Sequence, residues 1–243
     1  MKHMAIGVPI SRLFDWRTVT TLVHATAEGY ASGYQMHLIS AGNHERAKPI
    51  EQARNEIVEG ALAAGCEWLL FIDSDATAKA GALTRLLSRN KPFISALAFK
   101  RKKHVTPACG ISDGTGHYPP PVEEVIHFLE AHMEMFTGGA ALLNEPDPDA
   151  LLPVDAMGDH YTLIHRDVLT SMEPPWFVRT TEPDVGSTGS DWYFCEQARA
   201  AGFQPYVDLS VIAGHLTTGW NIEARDFLAW SMYYKWQQQF KEA

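Results

Sequence analysis

The chain has 243 residues, 46% of them apolar and 20% charged, with a formal net charge of −9. These are the proportions of an ordinary globular protein whose core is large enough to fold as a single domain, 1–243. The negative balance argues against a general polyanion binder. The three scattered cysteines, Cys66, Cys109 and Cys195, form no Cys-x-x-Cys pair and suggest neither zinc nor a disulfide framework. A reducing, cytoplasmic setting is therefore expected. Pro9, Ser11 and Arg12 interrupt any apolar leader, and no run approaches the length of a membrane span.

In chain order, residues 4–10 read as a first strand ending at Pro9, followed by a loop over 11–16. Residues 18–29 have helical spacing, with Val19, Leu22, Val23 and Ala27 on one side. A second strand over 34–40 and a polar loop over 41–48 lead to a helix over 49–64, stopped by Gly65. The unbroken apolar run Trp68-Leu69-Leu70-Phe71-Ile72 then reads as a strand buried on both faces. This β-α-β-α-β order predicts a parallel sheet with right-handed crossovers. A short helix over 80–87 and a strand over 92–99 continue it.

After that strand comes the densest basic run, Lys100-Arg101-Lys102-Lys103-His104, read either as a solvated loop or as a cluster facing phosphate or a polyanion. Alternation fails over 105–153, an irregular insertion punctuated by prolines and glycines, with one helix predicted over 122–135. A strand over 154–164 resumes the pattern, and Gly158 within it suggests a bulge or a close backbone approach. A short helix over 166–171, a loop over 177–189, a helix over 190–201, a strand over 204–212 and a C-terminal helix over 225–240 complete the reading. The aromatics of that last helix, Trp230, Tyr233, Tyr234 and Trp236, read as packing.

The chemistry centres on Asp73-Ser74-Asp75. Two carboxylates at the carboxyl end of a buried strand occupy the edge where open α/β sheets bind ligands, and they suit a hard divalent cation. The same spacing in Asp147-Pro148-Asp149 has no strand before it and reads as solvated loop. Asp191, near the start of a predicted helix, is either an N-cap or a general base for an acceptor hydroxyl. His215, placed just past the last strand, is a candidate to complete a cation site with Asp75, and the Thr-Thr-Gly after it a candidate lid.

These pieces, in this order, resemble a glycosyltransferase of the GT-A fold, close to the family-2-like group. The resemblance rests on Ala53-Arg54-Asn55, on the DxD strand end Phe71 to Asp75, and on Asp155-Ala156-Met157-Gly158 running into Tyr161 to Arg166. It rests also on the block Asp191-Trp192-Tyr193-Phe194-Cys195, Ala201-Gly202-Phe203, Tyr206-Val207-Asp208 and Gly214-His215. It implies an α/β fold with a mixed, mostly parallel sheet flanked by helices. It also implies Mn²⁺ or Mg²⁺ and a nucleoside-diphosphate-sugar donor, a UDP- or GDP-sugar. By family position Asp75 binds the metal, Asp73 contacts ribose or metal, and His215 is a further ligand. Pro9, Arg54 and Ser74 lie along the donor, and Asp191 is the base of an inverting transfer. Ser190 stands where the family has Glu, which leaves a retaining mechanism open, and 105–153 does not match the family pattern.

Two rival readings are a nucleotidyltransferase, disfavoured by the single glycine of Gly7 to Arg12, and a non-catalytic nucleotide-sugar binding module. The expected acceptor is a saccharide or other hydroxyl. Nucleic acid with hydroxymethylated bases is a minority option, supported by the basic run and opposed by the net charge.

Overall fold

The computed structural model describes residues 1–10, 15–42, 48–101, 105–133, 147–182, 186–217 and 221–239. The expected loops at 11–14 and 43–47, Lys102 to His104, Gly138-Gly139 and the Thr218-Gly219 turn lie outside these residues. So do the side chains of Tyr233, Tyr234 and Trp236.

The elements run β1 (Lys2–Pro9), α1 (Trp16–Ala31), β2 (Tyr34–Ala41), α2 (Ile50–Ala63), β3 (Trp68–Ile72), β4 (Ala76–Ala78), α3 (Ala82–Ser88) and β5 (Phe93–Ala98). Then come β6 (Cys109–Gly110), α4 (Val122–Ala131), β7 (Leu151–Pro153), β8 (Ala156–Met157), β9 (Tyr161–His165) and α5 (Arg166–Thr170). The chain ends with β10 (Thr180–Glu182), β11 (Gly186–Thr188), α6 (Ser190–Ala200), β12 (Tyr206–Leu216), β13 (Asn221–Ile222) and α7 (Ala224–Gln239). Among the described residues the main sheet has the order β13-β12-β5-β9-β3-β1-β2, with β4 and β7 pairing to β12.

The sheet is mixed and mostly parallel, flanked by helices, as the resemblance implies. β1 is parallel to β2 and β3, and β12 to β5, while β9 lies antiparallel between β3 and β5. Inserting one reversed strand into a parallel sheet has a direct consequence. The residues that lead into β9 arrive at the edge where β1, β3 and β5 end. In register, Ile72 faces Tyr161, so Gly158-Asp159-His160 lies against Asp73-Ser74-Asp75.

Side-chain alternation along β3 divides the core between the two faces of the sheet. Leu69 and Phe71 join Ile57, Phe93, Phe177 and Phe194 on one face. Leu70 and Ile72 join Met4, Ile6, Leu83, Ile94 and Leu163 on the other. Each such side chain contributes about 1.5–3 kcal/mol by leaving water.

Four expectations are corrected. The strand predicted over 154–164 is broken in two at Gly158-Asp159-His160, because those residues turn the chain into β9. The loop over 177–189 contains the hairpin β10–β11. The insertion is not wholly irregular: its β7 joins the main sheet against β12, and its β6 pairs with β8. The last correction concerns α1, which buries Thr18, Thr21, Ala25 and Gly29 and exposes Val19 and Val23. Close approach explains this inversion. The Thr18 hydroxyl donates to the Ser74 carbonyl at 3.2 Å, and the Thr21 hydroxyl accepts the Ala78 N–H at 3.0 Å. At Gly29 a side chain would collide with Met36. Only small residues fit so tight a seam.

Candidate functional site

The turn after β3 sets the two carboxylates. The Ala76 N–H closes it on the Asp73 carbonyl at 2.9 Å, and the Asp73 N–H reaches the His160 carbonyl at 3.0 Å. Ser74 is buried between them. Pro9 lies at the end of β1, level with Asp73 by the parallel register in which Gly7 faces Phe71. Thus Pro9, Asp73, Ser74 and Asp75 share the carboxyl edge of the sheet.

Asp75 faces two imidazoles. Donor atoms of Asp75, His160 and His215 all lie within 4.8 Å of one another. His215 belongs to β12 itself, not to a loop beyond a strand as the sequence suggested. Its pairing with Ala76 of β4, and the Leu216 N–H on the Asp75 carbonyl at 2.8 Å, bring it to Asp75. Both rings are held in the same manner. His215 Nδ1 meets the Phe99 carbonyl at 3.0 Å, and His160 Nε2 meets the Gly214 carbonyl at 2.9 Å. Each of these nitrogens must be the N–H donor, since a carbonyl cannot donate. That leaves the lone pairs of His215 Nε2 and His160 Nδ1 turned toward Asp75, at 3.8 and 4.0 Å. A backbone carbonyl that fixes the tautomer of an imidazole in this way is the usual support of a metal ligand. His160 Nδ1 is buried and has no hydrogen-bond partner among the described residues, its nearest acceptor being Asp73 Oδ2 at 3.4 Å. A buried imidazole nitrogen without a hydrogen bond, beside a carboxylate and a second imidazole, fits a divalent cation that would take the place of a proton there.

A second group lies behind the first. Arg54, delivered by α2, is buried and reaches Asp73 at 3.2 Å and Asp159 at 3.5 Å. Asn55 beside it clamps the Phe177 backbone at 2.8 and 3.0 Å and so fixes the helix position. Asp159 is fully buried, and neither of its carboxylate oxygens has a hydrogen bond among the described residues. Asp191 stands over the same group. Its Oδ2 comes within 3.5 Å of the space a side chain on Gly158 would fill, which is the close approach expected there. The N-cap of α6 is Gly189, and Asp191, in the first turn, accepts the neighbouring Trp192 N–H at 3.1 Å, so a helix-start role and a base role are both open to it.

These placements set the charges. Burial raises Asp75, whereas at Asp73 burial is outweighed by the Arg54 guanidinium and the carboxyl falls below its ordinary range. Burial pushes Asp159 up to about 7, over the opposing pull of Arg54 and with Asp191 adding to the rise. Burial and the His160 ring push His215 down to about 3, which keeps it neutral. At His160 burial acts downward, but the Asp73 carboxylate prevails and raises it.

Two members of the basic run take part. Arg101 Nη1 holds Asp75 Oδ2 at 2.7 Å and the Leu216 carbonyl at 2.9 Å, and the Lys100 ammonium lies 5.3 Å from the Trp192 ring centre. Trp192 also stacks on Tyr118 of the insertion, at 5.6 Å, which seats the insertion beside α6. A separate cleft of about 240 Å³ opens between α1, β4 and the start of α7 and contains none of these acids. Converging side chains, not cleft volume, mark the site.

The sequence reading therefore named Asp73, Asp75, Arg54, Asp191 and His215, which the fold gathers, offered Arg101 only as part of the basic run, and missed Asp159 and His160. The signal for those two was an Asp-His pair directly after Gly158 and before an apolar run, hidden by reading the strand as continuous.

No protein-family model matches the chain, and no curated protein matches it. Among solved structures it is similar to S. aureus TarS at 12% identity and a TM-score of 0.42, over 85% of this chain and 35% of that one. It is similar also to a glycosyltransferase involved in the glycosylation of the major capsid of PBCV-1, at 13% identity and a TM-score of 0.35, over 72% and 69% of the two chains. The crystal structure of A197 from STIV is similar at a TM-score of 0.52 and 13% identity, over 88% of this chain and 86% of that one. The likeness to A197 extends over most of both chains and shows a shared fold.

Proposed function

We propose that the protein is a metal-dependent glycosyltransferase that moves a sugar from a nucleoside-diphosphate-sugar to an acceptor hydroxyl. The observation that carries this reading is the cluster of Asp75, His160 and His215, with both imidazoles locked in the ligating tautomer, at the carboxyl edge of a mostly parallel sheet. Asp75, His160 and His215 would hold the cation. Two imidazoles and one carboxylate favour Mn²⁺ over Mg²⁺, which prefers oxygen donors throughout. When bound, such a cation offsets the charge that a leaving diphosphate gains.

The remaining residues act on the substrates. Pro9 and Ser74 line the edge on which the nucleotide rests, and Asp73, held below its usual range by Arg54, stays ionised to accept from the ribose or to support the cation. Arg54 holds Asp73 and Asp159 in place. Asp191, whose Oδ2 faces Gly158, takes the proton of the acceptor hydroxyl in an inverting transfer. The insertion, joined to α6 through Tyr118 and Trp192, borders the acceptor. A saccharide or similar hydroxyl compound is the acceptor this reading favours, and the net charge of −9 disfavours nucleic acid. Among the described residues no helix is long and apolar enough to cross a membrane, and we assign the work to the cytoplasm.

The deciding experiment is thermal denaturation with UDP, GDP and their sugars, each with and without Mn²⁺, followed by analysis of products. A nucleotide that raises the melting temperature only with Mn²⁺, and release of nucleoside diphosphate on turnover, are expected. Release of pyrophosphate would make the protein a nucleotidyltransferase, and binding without turnover a binding module. Asp191→Asn should leave donor binding intact and cut kcat by roughly 10²–10⁴. An unchanged kcat would remove the base assignment.

A further inference from the structure

The basic run after β5 has no role in the proposed transfer, yet one of its residues sits on the cation cluster. Phe99 bridges to Pro107, and the Lys100 N–H meets the Thr106 carbonyl at 2.9 Å. The chain thus doubles back just past β5 and delivers Arg101 to the carboxyl edge of the sheet. The Phe99 carbonyl on the same stretch holds the His215 ring at 3.0 Å, so Arg101 is anchored two residues from a support of the cluster. Of the run, Lys100 is engaged over the Trp192 ring, whereas Arg101 faces the acids.

Its contact is with one particular oxygen. Arg101 Nη1 donates to Asp75 Oδ2 at 2.7 Å, and that oxygen is the one 3.8 Å from His215 Nε2. The same Nη1 donates to the Leu216 carbonyl at 2.9 Å, and the Leu216 N–H holds the Asp75 carbonyl at 2.8 Å. A cation that takes Asp75 and His215 as ligands draws on the lone pairs that the guanidinium also claims. Two positive charges on one carboxylate repel each other. The arginine is not pinned by burial either: its side chain is 42% exposed and that of Asp75 32%.

Phosphate is the alternative partner at this place. A diphosphate that shares a cation with Asp75 is by necessity a neighbour of Asp75, and so comes within reach of the group that holds it. Guanidinium suits phosphate as it suits carboxylate, with a planar fork of donors and a permanent charge. Arg54, by contrast, is buried between Asp73 and Asp159 and has no such freedom.

On the reading of the protein as a metal-dependent glycosyltransferase, we propose that Arg101 exchanges partners, from Asp75 to the donor diphosphate, and that this exchange makes cation and donor bind interdependently. Parting Arg101 from Asp75 is a cost met by whichever ligand binds first. The second binds without it, which is positive coupling. Arg101 then lies on the leaving group. The acceptor oxygen, its proton passed to Asp191, bonds to the anomeric carbon, and the electron pair of the broken bond stays on the diphosphate. The fork shares that added charge.

Titration calorimetry of Arg101→Gln tests the exchange without turnover. With MnCl₂ alone the Mn²⁺ dissociation constant should fall by about 5-fold, the worth of a part-exposed ion pair that no longer competes. With Mn²⁺ saturating, the dissociation constant of UDP or GDP, whichever the wild type binds, should rise by roughly 10–100-fold, as for a lost hydrogen bond to a charged group. Pyrophosphate, a probe without a base, should weaken alike. Arg101→Lys, which keeps the charge and loses the fork, should lie between. Urea unfolding should be unchanged, because the side chain is largely at the surface. Opposite shifts in one variant are the signature, since a residue that merely supports Asp75 would weaken both ligands. Constants that rise together, or a nucleotide constant that does not move, overturn the exchange and leave the transferase reading standing. A wild type that binds neither Mn²⁺ nor a nucleoside diphosphate overturns that reading and the exchange with it.

Discussion

Arg89 and Arg54 each form a buried arginine–carboxylate group, and the two are built differently. Arg89 meets Asp208 through Nε at 2.6 Å and Nη2 at 3.1 Å, and gives its remaining arm to the Asp147 carbonyl at 2.7 Å. Asp208 further accepts the Ser210 N–H and hydroxyl at 3.0 and 2.6 Å. Cation and anion are matched one to one. Arg54 instead faces Asp73 and Asp159 at 3.2 and 3.5 Å, with the charge of Asp191 acting on it as well, and Arg54 Nε and both Asp159 oxygens have no hydrogen bond among the described residues. Two acids share one guanidinium there, with a third acting on it from farther off. A fully matched pair ties β12 to α3, whereas a pair short of positive charge sits behind a candidate cation site. The shortfall is what an incoming cation would meet.

That contrast can be broken by substitution. The largest effect is expected for Asp75→Ala, which should lower Mn²⁺-dependent turnover by at least about 10³-fold while thermal stability without nucleotide stays near wild type. Full activity would remove Asp75 from the site. Arg89→Ala should do the reverse, costing about 3–5 kcal/mol in urea unfolding by leaving Asp208 buried and unmatched, with Mn²⁺ affinity of the folded protein unchanged. A smaller shift is expected for His160→Gln, a rise in the Mn²⁺ dissociation constant of roughly 10–100-fold, read by calorimetry. Equal affinity would mean that Asp75 and His215 suffice. The smallest change belongs to Asp159→Asn, less than about 1 kcal/mol, because the guanidinium keeps Asp73. A loss near that of Arg89→Ala would show that the two groups are alike after all.

The sequence disclosed the frame better than its exceptions. Residues 68–72 were legible as a doubly buried strand because an apolar run admits few other readings, and Asp73 and Asp75 followed from its end. His215 was legible as a partner of Asp75, though it was placed in a loop, since the strand was read as ending at 212, whereas β12 runs on through Gly214, which pairs with Thr77. Asp159 and His160 were missed because their place depends on β9 running backwards, and the direction of a strand leaves no mark in its residues. The face of α1 was misread for a related reason. Periodicity finds where the apolar residues are, but the depth of the seam decides which side is turned inward, and this seam accepts only Thr, Ala and Gly.

Gly214 contributes no functional group, yet it governs how the site assembles. Its carbonyl takes the His160 ring, and a methyl group in place of its hydrogen would collide with both Thr77 and Asn221. Thr77 is two positions from Asp75, on the strand that aligns Asp75 with His215. An alanine at 214 would therefore displace the Thr77 and Asn221 side chains, which hydrogen-bond each other at 2.8 Å beside the pairing that aligns Asp75 with His215. The chemistry of the pocket rests on a residue whose only qualification is that nothing projects from it.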